Sequence, residues 1–414
     1  MSVMNTSASG MLADTQWLST ISQNIANSNT TGYKNVETDF TALVDEIASP
    51  NDPGMGVTTS MQTLNALQGS VVSTSTSTDL AVQGTGFFVV SDSSGDIYLT
   101  RNGSFTPNAS GDLVNSAGYY LMGYSVASGA TAPTNESLSS LQKVNVNAAG
   151  ESATPTSSGS LVANLPSTAV PVAAAKLPSV NSASSVYTDQ TSVVTYDNLG
   201  QAHTLDIYFT NTGSNTWEVD VFDHADAAAG GSFPYSAGPL ATENLTFSAT
   251  NGTLTSGSPI TVAIPNGQKM SLDLSNMTQV ASAFNVSQAS ANGNPPASLT
   301  GVTFSANGAL SYQYSDGTSQ IGYQVPLGNV PSPNNLTSLD GGCLSPNSES
   351  GAISLGNPGN DGLGSLVPSA LESSTVDLAT ELTEMIQAQS AYEANSKAFQ
   401  TGANLYDVLN QLHP

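Results

Sequence analysis

A protein that performs chemistry needs nucleophiles, acid–base pairs or metal ligands at workable spacing, and this chain of 414 residues offers few. Its three histidines are scattered: His203 lies in an alternating stretch, His224 follows Asp223, and His413 is penultimate. None has the spacing that brings imidazoles to one metal ion. The single Cys343 has no partner for an intramolecular disulfide and no neighbouring His or Asp motif that would make it a nucleophile. Gly84-Thr85-Gly86 runs into Phe87 and Phe88 instead of a helix, with no third glycine at the dinucleotide spacing, so it reads as a bulge or a close approach in a strand. Asp92-Ser93-Ser94-Gly95-Asp96 has the look of a calcium loop without its closing Glu, and a hairpin turn fits it better. Arg101, the only arginine, is expected to form an ion pair or hydrogen bonds with a neighbouring loop or subunit. No catalytic residue, metal ligand or cofactor is expected from this set.

Charge narrows the partners. With 31 acidic against 6 basic residues the chain carries −25, and only 9% of its residues are charged. Neutralising phosphates needs Lys and Arg, so nucleic acid and anionic membrane surfaces are excluded as partners. No run of about twenty apolar residues is present, so no transmembrane helix is expected. The start, MSVMNTSASGMLAD, has neither the basic region nor the apolar core of a secretory signal. A cytosolic protein, or one exported without signal cleavage, is the expectation.

The elements that stand out are the two ends. Leu378, Met385, Tyr392, Phe399 and Tyr406 are spaced by sevens, with Leu382, Ile386, Leu405, Leu409 and Leu412 beside them. Met4, Met11, Leu18 and Ile25 repeat that spacing near the start, with Ala8, Leu12 and Ile21 alongside. A repeat of seven keeps one seam facing a partner helix, so two long helices pairing as a coiled coil are predicted, unless each packs separately on a globular body. Ser374 is expected as the N-cap of the second helix, with Asp377 in its first turn.

Between the ends the chain reads as mainly β. Alternating stretches and the run Phe87 to Val90 predict strands, Asn102-Gly103 suits a type I′ hairpin, and Ser110-Gly111 marks another turn. Alternation resumes from Ser192 to Asp223 and again near residues 245–274 and 302–325. The expected organisation is a helical domain from residues 1–30 and 370–414, linkers at 31–69 and 346–369, a first β-domain at 70–145 and 296–345, and a second β-domain at 146–295 inserted in the first. Residues 331–368, rich in Pro, Gly and Asn, are expected as a tether.

Several of these stretches resemble the axial proteins of the bacterial flagellum. ASGMLADTQWLSTISQNIANSNTTGYK is similar to the rod-and-hook signature, with Asn24, Ile25, Ala26, Asn27, Thr31, Gly32 and Tyr33 in the expected places. DLAVQGTGFFVV, TRNGSFTPNASGDLVNSAGYYLMGY and SALESSTVDLATELTEMIQAQSAYEANSKAFQT resemble the segments that follow. One departure is Thr375, where many relatives have Asn. The length and the second β-domain resemble the hook members more than the shorter rod members. The resemblance implies a structural subunit of a curved, torque-transmitting tube, with no enzyme activity. Its implied assembly interface is Met4, Met11, Leu18, Ile25, Leu378, Leu382, Met385, Tyr392, Phe399 and Tyr406. Its implied partners are copies of itself, rod and hook–filament junction proteins, the hook cap and the export apparatus, outside the cell. Another axial component of the flagellum, or a β-rich enzyme acting on an extracellular polymer, are the alternatives.

Overall fold

The computed structural model describes residues 2–43, 56–126, 137–229, 233–360 and 362–411. Leu412 and His413 lie outside the described residues, as does the side chain of Leu409. The chain is mainly β, with helix α1 (Ser2–Ala26) at one end and helix α2 (Leu378–Gln411) at the other, and it forms two units. The first comprises residues 1–149, 300–313 and 319–414, and the second comprises residues 150–299 and 314–318, so the second is inserted in the first.

In the first unit the strand Phe87–Ser91 is buried along its whole length, which is why its sequence is an unbroken apolar run instead of an alternating one. It pairs with Ile97–Thr100, Tyr120–Ser125 and Leu327–Asn329. Phe87, Val89, Leu99, Met122, Val330 and Leu344 form the core beside it. Asp92 to Asp96 is the hairpin turn that closes the first of these pairs: Asp92 Oδ1 accepts from the amides of Ser94, Gly95 and Asp96 at 2.8–2.9 Å. Ser110-Gly111 closes another, between Phe105–Pro107 and Leu113–Asn115.

Three local expectations are corrected. Asn102-Gly103 is not a hairpin turn, since Ile97–Thr100 and Phe105–Pro107 do not pair and neither residue takes the positive φ of a type I′ turn. Gly103 instead sits against another segment: its carbonyl accepts from the Leu80 amide at 3.0 Å, and a Cβ there would stand 1.6 Å from the Leu80 carbonyl oxygen. Residues 331–368 are not a bare tether, for they supply the strands Thr337–Leu339, Cys343–Ser345, Ser354–Gly356 and Ser365–Pro368, the last paired with Leu80–Gln83. Their Pro, Gly and Asn make the tight turns between these strands. The N-cap of α2 is Asp377 and not Ser374: Asp377 Oδ1 accepts from the amides of Ala379 at 2.8 Å and Thr380 at 3.1 Å, so the helix begins one residue later, at Leu378.

The second unit stacks two five-stranded sheets. One is an antiparallel run of Asp189–Tyr196, Ala202–Gly213, Thr216–Asp223, Ala241–Phe247 and Leu254–Ser256. The other surrounds Ser158–Pro166. Leu205, Ile207, Phe209, Trp217, Val219 and Val221 from the first meet Leu161, Leu165, Val262 and Leu272 from the second in one core. The period-two side-chain pattern of a strand puts Glu218, Asp220 and Phe222 on the opposite face.

Gly103→Ala should lower the unfolding free energy by about 2–4 kcal/mol, because the new methyl meets backbone that cannot move aside. Asn102→Ala removes one Asn102 Oδ1 bond to the Ser104 amide and should cost about 1 kcal/mol. Denaturant midpoints compare the two, and equal costs would rule out the close approach.

Candidate assembly interface

Where α1 ends, the chain turns through Asn27 to Gly32 and returns along the β-fold. Gly32 has φ 70°, its amide donates to the Glu372 carbonyl at 2.8 Å, and a Cβ on it would lie 2.8 Å from the Arg101 backbone. Only glycine allows that approach. Two residues on, Lys34 enters a buried cluster. Its Nζ donates to Glu372 Oε1 and to the Leu67 carbonyl, both at 2.5 Å. Glu372 Oε1 also accepts from the Gly69 amide at 2.7 Å, and Glu372 Oε2 accepts from Arg101 Nη1 at 3.3 Å. Arg101 Nη2 donates to the Gly84 carbonyl at 2.9 Å, and the guanidinium lies over the Phe87 ring.

All three side chains are nearly inaccessible, and Glu372 is wholly so. Burial lowers both Lys34 and Arg101 below their ordinary values, and the Glu372 carboxylate opposes that shift in each. Arg101 is therefore a structural ion-pair partner within its own chain, one of the two settings its sequence context allowed. Sequence reasoning missed Lys34 and Glu372. The available signal was scarcity: Lys34, one of only six basic residues, lies just beyond the first helix.

The signature residue Asn24 works beside this clamp. Its side-chain amide donates to the Val36 carbonyl at 2.9 Å and to Glu381 Oε1 at 3.1 Å, while its oxygen accepts from the Val36 amide at 3.1 Å and the Tyr33 hydroxyl at 3.2 Å. One side chain thus joins α1, the following strand Val36–Leu43, and α2. Burial pushes the Glu381 carboxyl above its ordinary value, a shift that the Asn24 bond opposes. Thr375 does not cap the helix. Its hydroxyl accepts from the Asn35 amide at 2.8 Å and pins the chain ahead of α2 to the chain behind α1.

The helices run antiparallel, since Asn24 meets Glu381, Asp14 meets Asn395 at 2.8 Å, and Met4 faces Gly402. Apart from Ile21, their shared seam is small and polar. On α1 the buried positions are Ser7, Gly10, Ala13, Asp14, Thr20, Ile21 and Asn24. On α2 they are Glu381 and Ala388, followed a turn pair at a time by the half-buried Asn395 and Gly402. A Cβ on Gly10 would come 2.7 Å from Asn395 Nδ2.

Apart from Met4, which meets Gly402 across it, the seven-residue apolar lines lie off this seam. Met4, Met11, Leu18, Ile25, Met385 and Phe399 are half-buried, whereas Leu378, Leu382, Tyr392 and Tyr406 are exposed. Leu12 and Ile386 are 73% and 65% exposed, so the large apolar side chains point away from the intramolecular partner. Near the free end of the pair, Val3, Met4, Ala398, Gly402, Leu405 and Tyr406 line an apolar groove of about 430 Å³. Along α1 lies the hairpin of Val36–Leu43 and Gly56–Thr63, with Thr38 bonded to Thr20 at 2.9 Å and the Trp17 and Phe40 rings edge to face.

The residues first considered for chemistry have other surroundings. Cys343 is buried, and burial pushes its thiol up to about 11, so it stays protonated. His203 Nδ1 lies 3.0 Å from Asp223 Oδ2, and His224 Nδ1 lies 2.7 Å from Asp206 Oδ2. Among the described residues no group of three or more His, Cys, Asp or Glu is placed to hold a metal ion, and no helix is long and apolar enough to cross a membrane.

Glu372→Gln should destabilise the protein by about 3–5 kcal/mol, because it leaves two buried cations side by side with no carboxylate. Denaturant titration of the full chain measures this. A cost below about 1 kcal/mol would mean that the cluster is not an energetically coupled clamp.

Family models match four segments of the chain: Flagella basal body rod protein at residues 4–34, Flagellar hook protein FlgE/F/G D1 domain at 81–153, Flagellar basal body protein FlaE D2 domain at 164–294, and Flagellar basal body rod FlgEFG protein C-terminal at 367–412. The chain is 42% identical over 412 residues to flagellar hook protein FlgE of Brucella suis biovar 1, covering 99% of this chain and 98% of that protein. It is 38% identical over 416 residues to the hook protein of Rhizobium meliloti, with 99% and 98% covered, and 32% identical over 416 residues to that of Escherichia coli K12, with 98% of each covered. Matched from end to end at these identities, with both terminal segments meeting in one clamp and one helix pair, the chain belongs to the flagellar hook protein family.

Proposed function

We propose that this protein is the structural subunit of the flagellar hook, a self-assembling curved tube that transmits torque from rod to filament. The observation that carries the reading is the inverted character of the terminal helix pair, which uses small and polar residues internally and leaves Leu12, Leu378, Leu382, Ile386, Leu405 and Tyr406 exposed. Exposed large apolar side chains in rows on paired helices mark a surface that another chain covers. The interface is assigned to Met4, Met11, Leu18, Ile25, Leu378, Leu382, Met385, Tyr392, Phe399 and Tyr406, and its occupant is the helix pair of neighbouring copies. Contacts repeated head to tail along an axis generate an open helical array.

In this reading residues 1–30 and 370–414 line the inside of the tube, residues 31–69 and 346–369 link them outward, the latter through strands paired within the first unit, residues 70–145 and 296–345 form the first β-domain, and residues 146–295 form the outer one. The further partners are rod and hook–filament junction proteins at the two ends, and the hook cap and export apparatus during growth. The location is the flagellum outside the cell, reached without signal cleavage. The role is mechanical and needs no catalytic group.

Leu382→Asp should abolish tube formation while leaving the monomer's circular dichroism unchanged, since a charge in a covered apolar row forfeits about 2–3 kcal/mol of burial at every repeat. Glu393→Gln, off the seven-residue line, should assemble normally. Electron microscopy of purified protein reads both, and tubes from the Leu382 variant would refute the interface.

A subunit of charge −25 repels its copies, and salt screens this over roughly 8–10 Å. Polymerisation should therefore speed up severalfold as salt rises from low ionic strength, measured by light scattering. A falling rate would show that attractive ion pairs dominate the contacts.

A further inference from the structure

The inserted unit buries two carboxylates together. Glu218 and Asp220 project from the same side of the strand Thr216–Asp223, opposite to the core residues Trp217, Val219 and Val221. Residues two apart on a strand stand roughly 6.5–7 Å apart at Cα, so side chains this long can meet. Asp220 has no exposed surface and Glu218 is 8% exposed. Asp220 Oδ1 accepts from the Thr242 hydroxyl at 2.6 Å, and Glu218 Oε1 accepts from the Ser179 hydroxyl at 2.7 Å. Asp220 Oδ2 is buried with no donor.

The groups facing the pair supply no countercharge. Across from Glu218 in register is Thr210, whose buried hydroxyl oxygen is also without a partner, and across from Asp220 is Tyr208, whose hydroxyl is 2.7 Å from that of Tyr235. Asp206, next on that face, is occupied by His224 and the Tyr235 hydroxyl. On the other neighbouring strand the pair faces Thr242 and Asn244. The covering segment contributes Ser179, and its Lys176 is exposed. Among the described residues, no Lys, Arg or His forms an ion pair with either carboxylate.

Two adjacent buried carboxylates without a cation cannot both ionise at ordinary pH. We propose that Glu218 and Asp220 hold one proton between them as a carboxylic acid–carboxylate hydrogen bond, the proton supplying the donor that Asp220 Oδ2 lacks, so that the inserted unit is stabilised by acid. Burial pushes Asp220 up to about 7, the Thr242 hydroxyl opposing it, the Glu218 charge and hydrogen bond adding to it, and the Ser179 backbone amide opposing it more weakly. An unfolded Asp titrates near 3.9. The folded value is raised, so the stabilisation is fully present below about pH 4, is lost as pH rises through about 7, and is level above that.

The test is infrared spectroscopy of the full-length protein. At about pH 6, where free carboxyls are ionised, the wild type should show the carbonyl band of an un-ionised carboxylic acid, and Asp220→Asn and Glu218→Gln should each lose it. The thermal midpoint of the wild type should fall by roughly 5–10 °C between about pH 5 and pH 8, and that fall should be at least halved in Asp220→Asn, whose amide supplies the missing donor. If Asp220→Asn does not fold, Glu218→Gln and the wild-type band decide the matter. Absence of the band at pH 6 would overturn the proposal, as would an unaltered pH dependence in a folded variant. An absent band together with a midpoint raised by added calcium chloride would make the pair a cation site instead, and would overturn it equally.

Discussion

The Glu372 carboxylate is the point through which the two ends of the chain are joined to the β-fold. It is fully buried and binds Lys34 from the segment after α1, Arg101 from the β-fold, and the Gly69 amide from the loop between them. A buried ion cluster adds little net stability over an apolar substitute, but it tolerates no missing member and little change of geometry. That property suits a junction. The cluster holds the exit of α1 and the approach to α2 at fixed positions on the first unit, and Asn24, Gly32 and Thr375 extend the same connection by hydrogen bonds and close backbone contact. In a chain with only six basic residues, placing two of them here shows how specific the requirement is.

From that junction the helix pair acquires its unusual division of faces. Apart from Ile21, side chains on the shared seam are small or hydrogen-bonded, so the backbones approach closely and the pairing is set by Asn24 with Glu381 and by Asp14 with Asn395. Polar partners specify register where an all-apolar seam would permit sliding. The large apolar residues then remain outside, which is unfavourable for a lone subunit and favourable for one whose outer rows are covered by its neighbours. The same helices therefore carry an internal seam that pairs them and external apolar rows that, in the proposed reading, neighbouring copies cover.

The inserted unit follows a different logic, with a dry core between two sheets and a polar, aromatic layer on the far face of one of them. Tyr208, Phe222, Phe233 and Tyr235 pack together there beside Asp206, which binds His224 and the Tyr235 hydroxyl, and beside Glu218 and Asp220, whose hydrogen bonds come from the Ser179 and Thr242 hydroxyls. Burying acids without bases is the local form of the whole chain's imbalance of 31 acidic to 6 basic residues.

Periodicity and local turn residues were enough to reveal both terminal helices, the alternating strands from Ser192 to Asp223, and the turns at Asp92 to Asp96 and at Ser110-Gly111, because these depend on side-chain repeats of 3.6 or 2 and on local turn chemistry. The terminal signatures likewise carried the family. What needed the tertiary structure was every feature that joins residues distant in sequence. Asn102-Gly103 has the composition of a hairpin turn, yet its glycine is required by the Leu80 carbonyl that presses against it. Residues 331–368 look like a tether, yet their strands find partners far earlier in the chain. The seven-residue lines showed that the helices have apolar faces but not which face meets the other helix. That choice is made by close approach at Gly10 and by Asn24 and Asp14 finding their partners on α2, contacts between residues more than 350 positions apart. Glu372, Lys34 and Arg101 are three isolated charges in the sequence, and only the fold makes them one group, since Coulomb attraction depends on distance in space and on burial and leaves no periodic trace along a chain.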